Sequence, residues 1–255
     1  MLTHEIDIDL SQFELKNTLN PQIWNEYKEG SFLKEGVRDS LLRIAKAFWD
    51  SLGFDAEDIS DILLVGSNCN FNWSESSDLD LHIEVNFSSI DDNVTLMEDY
   101  FKTKSREWNS NHPNLNISGI KVEVFVQDIE GCCSCAKYSI LHDKWLVEPR
   151  HLDEGLHTLK LKDKEFIKKK SALIMGIIDG IVKQFNKNIE DGDYVELYLD
   201  IQDLLSKLTS MRKKALKSGG EMDKNNIVYK VLRRSEHLTT LWELNDKCFD
   251  KIYSN

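Results

Sequence analysis

The stretch from Val65 to Val85, VGSNCNFNWSESSDLDLHIEV, restricts the fold more than any other part of the chain. An apolar run, DILLV, ends at Gly66-Ser67, and after a gap of about ten residues Asp78 and Asp80 open a second apolar run. Side chains alternate across a β-strand, so Asp78 and Asp80 share one face. Leu79, Leu81, Ile83 and Val85 take the other, which needs a core behind it. Two carboxylates about 7 Å apart along a strand repel each other unless a cation lies between them. All-oxygen ligands favour Mg2+ or Mn2+. A Gly-Ser turn offers backbone N–H groups and a hydroxyl to phosphate oxygens. The segment therefore reads as a site for a metal-bound nucleoside triphosphate.

A second alternating stretch, GIKVEVFVQD (119–128), repeats the device. Ile120, Val122, Val124 and Val126 share one face, and Lys121, Glu123, Phe125 and Gln127 the other. Glu123 is thus a third strand carboxylate, to be read as a metal ligand and base or as an exposed strand acid. Asp is disfavoured in strands, so two in one strand suggest that function outweighs propensity. His82 shares the parity of Asp80 and reads first as a structural histidine. Ser77, just ahead of the acidic pair, fits a turn cap or a phosphate contact.

Around these strands the pattern is helical. Residues 33–52 carry Leu33, Val37, Leu41, Ala45, Phe48 and Leu52 at helical spacing, with Gly53 as a stop. Residues 91–109 form a second helical pattern, and 112–119 a loop. AKYSILHDKWLVEP predicts a small hairpin around His142-Asp143. From about 157 onward three helical stretches follow. The first holds Phe166, Leu173, Ile174, Ile177, Ile178 and Ile181; the second covers 193–217; the third runs over about 224–252. Pro149 and its polar surroundings mark a boundary, giving units 1–150 and 151–255.

The chain has 255 residues, 41% of them apolar, and only three Pro, which fits an ordered α/β or α+β protein. Its net charge of −12 disfavours broad, sequence-independent nucleic-acid binding but leaves room for a short basic groove. The start MLTHEIDIDL lacks the charged n-region and apolar core of an export signal, and no run is long and apolar enough to span a bilayer. The expected compartment is the cytoplasm, without a membrane. Five Cys fit reduced thiols. Cys132, Cys133 and Cys135 cluster, but no second Cys or His pair completes a zinc finger. A triphosphate in so acidic a chain needs local cations. Arg212, Lys213 and Lys214 in MRKKALKSGGE, and Arg233 and Arg234 in the following stretch, are the candidates for holding phosphates. Phe71, Trp73, Tyr138 and Trp145 are candidates for stacking on a base, although aromatics more often fill cores.

The pattern VGS, a gap of about ten, DLDL and a later strand acid resembles the DNA polymerase β-like nucleotidyltransferase superfamily. Gly66, Ser67, Asp78, Asp80 and Glu123 match its positions, with Glu where many members have Asp. LNPQIW (19–24), YSILHDKW (138–145), MRKKALKSGGE (211–221) and NNIVYKVLRR (225–234) resemble a narrower group, the nucleotidyltransferases of large tailed phages and some plasmids. For a phage-encoded chain the compartment is the host cytoplasm. The resemblance implies an α+β (α/β) minimal palm, a short mixed sheet followed by a helical C-terminal domain that completes the nucleotide cleft. It also implies two-metal transfer of a nucleoside monophosphate from an NTP to a hydroxyl, with pyrophosphate released. Asp78, Asp80 and Glu123 are then the catalytic and metal-binding acids, with Mg2+ or Mn2+ as cofactor. Gly66, Ser67, Ser77, Tyr138, Arg212, Lys213 and Arg233 contact the nucleotide. The acceptor is an RNA 3′ end of tRNA-like form, a protein side chain or a small molecule. The alternative is an inactive nucleotide-binding or host-factor-binding protein that keeps the fold.

Overall fold

A computed structural model describes residues 8–27, 30–131, 136–149, 161–191 and 194–254. The protein is of mixed α+β type. It divides into a sheet-bearing unit, Phe13–Thr158, and a helical unit that joins Met1–Gln12 to Leu159–Asn255. The Cys132, Cys133 and Cys135 cluster lies outside the described residues.

The sheet-bearing unit opens with a hairpin that hydropathy did not announce, β1 (Trp24–Tyr27) and β2 (Gly30–Leu33). Helix α1 (Glu35–Leu52) follows, its apolar spacing burying Val37, Leu41, Ala45, Phe48 and Trp49. Gly53 ends it at φ +77°, a left-handed value that suits glycine. Next come β3 (Ile59–Val65), β4 (Leu79–Val85), a single turn α2 (Phe87–Ile90) and α3 (Val94–Asn111). Strands β5 (Asn116–Ile117), β6 (Ile120–Asp128), β7 (Lys137–Ser139) and β8 (Lys144–Val147) complete the unit. The expected loop 112–119 therefore contains a short edge strand, and the hairpin at 138–147 forms with Asp143 in the left-handed region at its turn.

Six strands make one sheet in the order β5-β6-β4-β3-β7-β8. The pairs β3/β4 and β3/β7 are antiparallel, and β4/β6 is parallel, with α3 between the two strands in sequence. Leu79, Leu81, Ile83, Val122 and Val124 point to the side covered by α1 and α3, where they meet Leu41, Phe48 and Phe101 in one core. Each such fully buried side chain contributes roughly 1.5–3 kcal/mol. Strand alternation then forces Asp80 and Glu123 onto the other side.

The helical unit comprises α4 (Leu161–Asp191), α5 (Val195–Gly219), α6 (Lys224–Arg234) and α7 (His237–Tyr253). The stretch expected as one helix over 224–252 is broken at Glu236, which sits at φ +62°. Asp223 caps the start of α6 by accepting from the Asn225 N–H. Within α4, Ile174, Ile178 and Ile181 are buried, whereas Leu173 and Ile177 face solvent. One helical position turns a side chain by about 100°, so the buried stripe takes the first set and excludes the second. Among the described residues no helix is long and apolar enough to cross a membrane.

Candidate active site

The site is assembled on one face of the sheet. Asp80 and Glu123 are direct register partners on the parallel strands β4 and β6, so their backbones lie about 5 Å apart. Val65, the last residue of β3, is the partner of Asp80 on the other side. The chain turns at Gly66, and that turn passes directly against the Asp80 carboxylate. A Cβ built on Gly66 would stand 1.8 Å from Asp80 Oδ2. Gly66 also has φ +77°, so both space and backbone conformation demand glycine there. Ser67 begins a 3-10 turn, Ser67–Cys69, directly after it. Asp78 lies two residues before Asp80, just ahead of β4, and is half-buried.

Asn68 positions the two ends of this motif, a role not read from the sequence. It is fully buried, and its Nδ2 donates to the carbonyls of Ser77 (3.2 Å) and Asp78 (2.8 Å). Its Oδ1 accepts from Asn20 Nδ2 at 2.8 Å, and its carbonyl accepts from Trp24 Nε1 at 2.7 Å. The Gly-Ser turn is thereby clamped to the backbone that carries Asp78. The available signal was indirect: Asn20 and Trp24 both belong to the LNPQIW segment.

Glu123 is held by Lys121, its neighbour on the same strand face, at 2.6 Å from Nζ to Oε1. Farther along the face, His82 donates through Nδ1 to Gln127 Oε1 at 2.7 Å, a tautomer set by Gln127 Nε2 donating to Glu84 Oε1 at 3.0 Å. Burial pushes the His82 pKa down, and the Gln127 hydrogen bond offsets only part of that. His82 is a neutral, satisfied side chain, the plainer of its two sequence readings. Cys69, behind the turn, is pushed up by burial, with the Asp80 charge adding to the effect, so its thiol stays protonated.

Among the described residues no three His, Cys, Asp or Glu side chains already converge on a point that suits a metal ion. Glu123 is paired with Lys121, and the Asp80 carboxylate lies against the Gly66 turn. The donor set nevertheless fits a hard cation: oxygen ligands only, on adjacent strands and in register, beside a turn that a single Cβ would fill.

Other expected contacts fall elsewhere. The Ser77 hydroxyl accepts from the Ser74 N–H at 3.0 Å and is buried, so it serves a turn. Tyr138 is a correction. It is fully buried on β7, packed edge-on against Trp24 and Trp145, and its hydroxyl donates to Asp143 Oδ1 at 2.7 Å. It offers no ring face to a base. Trp145 stacks on Trp24 at 4.9 Å and donates to the Ser31 carbonyl, Trp73 donates to the Thr18 carbonyl, and Phe71 is buried.

The chain matches no family model, no curated protein and no solved structure.

The proposed phosphate-binding cations lie in the helical unit. Arg212 is stacked over the Tyr229 ring at 4.8 Å, and Lys230 pairs with Glu221. Asn226, fully buried, donates to the Glu221 carbonyl at 2.8 Å. Burial raises the Glu221 pKa, but Lys230 and Arg212 outweigh it and hold the carboxyl below its ordinary range. MRKKALKSGGE and NNIVYK therefore form an interlocked α5–α6 junction. Lys213 and Arg233 are exposed, as is Lys214.

Proposed function

We propose that this protein is a metal-dependent nucleotidyltransferase of DNA polymerase β-like type, with the sheet-bearing unit as its palm. The observation that carries the reading is the registered pair Asp80 and Glu123 on parallel strands, with the Asp80 carboxylate pressed against the Gly66 turn. A structural sheet gains nothing from placing two like charges side by side, and such pairs are destabilising.

Asp78 and Asp80 would hold Mg2+ or Mn2+, with Glu123 completing the set. A cation held by these carboxylates would supply positive charge against phosphoryl oxygens and a departing pyrophosphate and would ease deprotonation of an acceptor hydroxyl. The chain's own residues position the reactants. The Gly66-Ser67 turn brings backbone N–H groups and one hydroxyl to phosphate oxygens without a side chain in the way. Asn68 keeps that turn and Asp78 at a fixed separation. Glu123 accepts the proton of the acceptor hydroxyl once Lys121 releases it, and Lys121 then faces the negative charge of the substrate. Such pre-positioning removes orientational entropy from the transfer step.

Incubation with each labelled NTP and Mg2+ or Mn2+, with total RNA and lysate protein offered as acceptors, tests the reading. Pyrophosphate release with label on one acceptor class is the expected result. Wild-type protein that releases no pyrophosphate under any of these conditions overturns it. The Lys121–Glu123 pair favours a second reading, a nucleotide-binding module without turnover, for which NTP binding persists and no pyrophosphate appears.

A further inference from the structure

On the side of the sheet away from the acids, α1, the end of α3 and β5 enclose an open groove of about 920 Å3. Its walls carry Lys34, Arg43 and His112, and no lining residue is acidic. In a chain with 44 acidic and 32 basic residues that is a marked local reversal of charge. Arg43 is exposed, and its guanidinium donates to the Ser40 hydroxyl at 2.9 Å with no carboxylate partner among the described residues. Lys34 Nζ reaches only the Pro21 carbonyl, at 2.7 Å. His112 stacks on Trp108 with ring centroids 4.0 Å apart and holds the Trp108 carbonyl through Nδ1, leaving an exposed imidazole over an indole. The Trp108 Nε1–H is buried without a hydrogen-bond partner.

The spacing of these groups decides the ligand. Lys34, the extended residue that caps α1, and Arg43 within the helix are nine positions apart, roughly 13 Å of axial rise at 1.5 Å per residue, and their heads are held at different places, the Pro21 carbonyl and the Ser40 hydroxyl. Two separate anchor points suit a backbone that repeats its charge. The stacked His112–Trp108 platform beside the cations favours bases over the aliphatic side chains of an acidic peptide. We propose that this groove binds a short single-stranded RNA segment, Lys34 and Arg43 holding successive phosphates and the exposed His112 ring taking a base. The inference goes beyond the transfer reading and does not need it, because binding is read without NTP or metal.

The test is fluorescence anisotropy of a labelled ten-nucleotide oligouridylate in EDTA across a salt series. Cation contacts on a single strand contribute about −0.7 each to the slope of log affinity against log salt. Lys34→Gln/Arg43→Gln should weaken binding at least tenfold at low salt and flatten the slope by about 1.4. Arg43→Gln alone, on an exposed face, should flatten it by about half as much, which guards against a folding defect at Lys34. Lys247→Gln/Lys251→Gln, at two exposed lysines of α7, should bind as the parent does. The proposal is overturned if the parent does not bind, if the groove variants keep its affinity and slope, or if the Lys247/Lys251 pair carries the loss. Displacement of the RNA by uridine 5′-monophosphate at equal phosphate concentration would reduce the groove to a single-phosphate site. Equal competition by oligoglutamate would assign it to an acidic protein segment. Either result also refutes the proposal.

Discussion

On the sheet, Asp80 and Glu123 bring like charges to one face, with Asp78 just ahead of the strand and Lys121 paired to Glu123. At the α5–α6 junction, Arg212, Lys230, Glu221, Asn226 and Tyr229 neutralise one another through an ion pair, a ring contact and amide hydrogen bonds. Both clusters stood out in the sequence as charged blocks. In the junction opposite charges meet, Lys230 against Glu221, and the result is a fastened turn. On the sheet the direct register partner of one carboxylate is another, Asp80 beside Glu123. That arrangement of like charges, and not charge content, is what distinguishes it from the junction.

The sharpest way to break this contrast is Asp80→Asn. It should lower nucleotidyl transfer about a thousandfold, the several kcal/mol that a Lewis-acid site supplies. Thermal stability should change far less than transfer does, because the substitution keeps the size and shape of the side chain. A variant that melts early yet keeps transferring would place Asp80 with the structural clusters. Gly66→Ala comes next. The added methyl both evicts the Asp80 carboxylate and strains a positive φ, so activity should drop about a hundredfold and stability by roughly 1–3 kcal/mol. Pyrophosphate release and urea denaturation read the two effects separately.

The junction should behave in the opposite way. Lys230→Met leaves Glu221 without its closest cation, and since Glu221 is half-exposed the loss should be about 1 kcal/mol or less. Metal-dependent transfer should not change; a large loss of transfer would move these cations into the catalytic machinery. The smallest effect is in the pH response, where the two regions titrate in order. His82 has a depressed folded pKa, so the folded state binds fewer protons than the unfolded one just below the ordinary value of 6.5. Stability of the sheet-bearing unit should begin to fall there as pH drops, and His82→Gln should flatten that limb. Glu221, also depressed, supports the helical unit above its ordinary 4.5 and loses that support only as pH falls through its lower folded value. Calorimetric scans at pH 7, 6, 5 and 4 would show whether the sheet weakens first.

Much of the acid-bearing face was legible because strand alternation is a local property. The parity of Asp80 and Glu123, the core side of β4 and β6, and the glycine turn all follow from spacing within a few residues. What joins them is not local. The parallel pairing that sets Asp80 opposite Glu123 depends on the crossover through α3, and the Asn68 clamp depends on Asn20, 48 positions away. Tyr138 illustrates the converse failure. An aromatic in a hairpin has the same local signature whether it faces a ligand or fills a core, and only the neighbouring Trp24 and Trp145 decide it. The single helix expected over 224–252 failed for a similar reason: residues 235 and 236 carry no Gly or Pro, and the break lies in the backbone of Glu236.

The bonds of Asn68 bear on how such a chain can vary. They reach from the residue after Gly66-Ser67 straight to the carbonyls of Ser77 and Asp78, bypassing the loop between. Asn68 thus joins the turn to the backbone of Asp78 across the chain instead of along it. The loop between keeps its own ties, Trp73 to the Thr18 carbonyl and the Ser74 N–H to the Ser77 hydroxyl, so a change at Asn68 should reach both ends of the motif while leaving those ties in place.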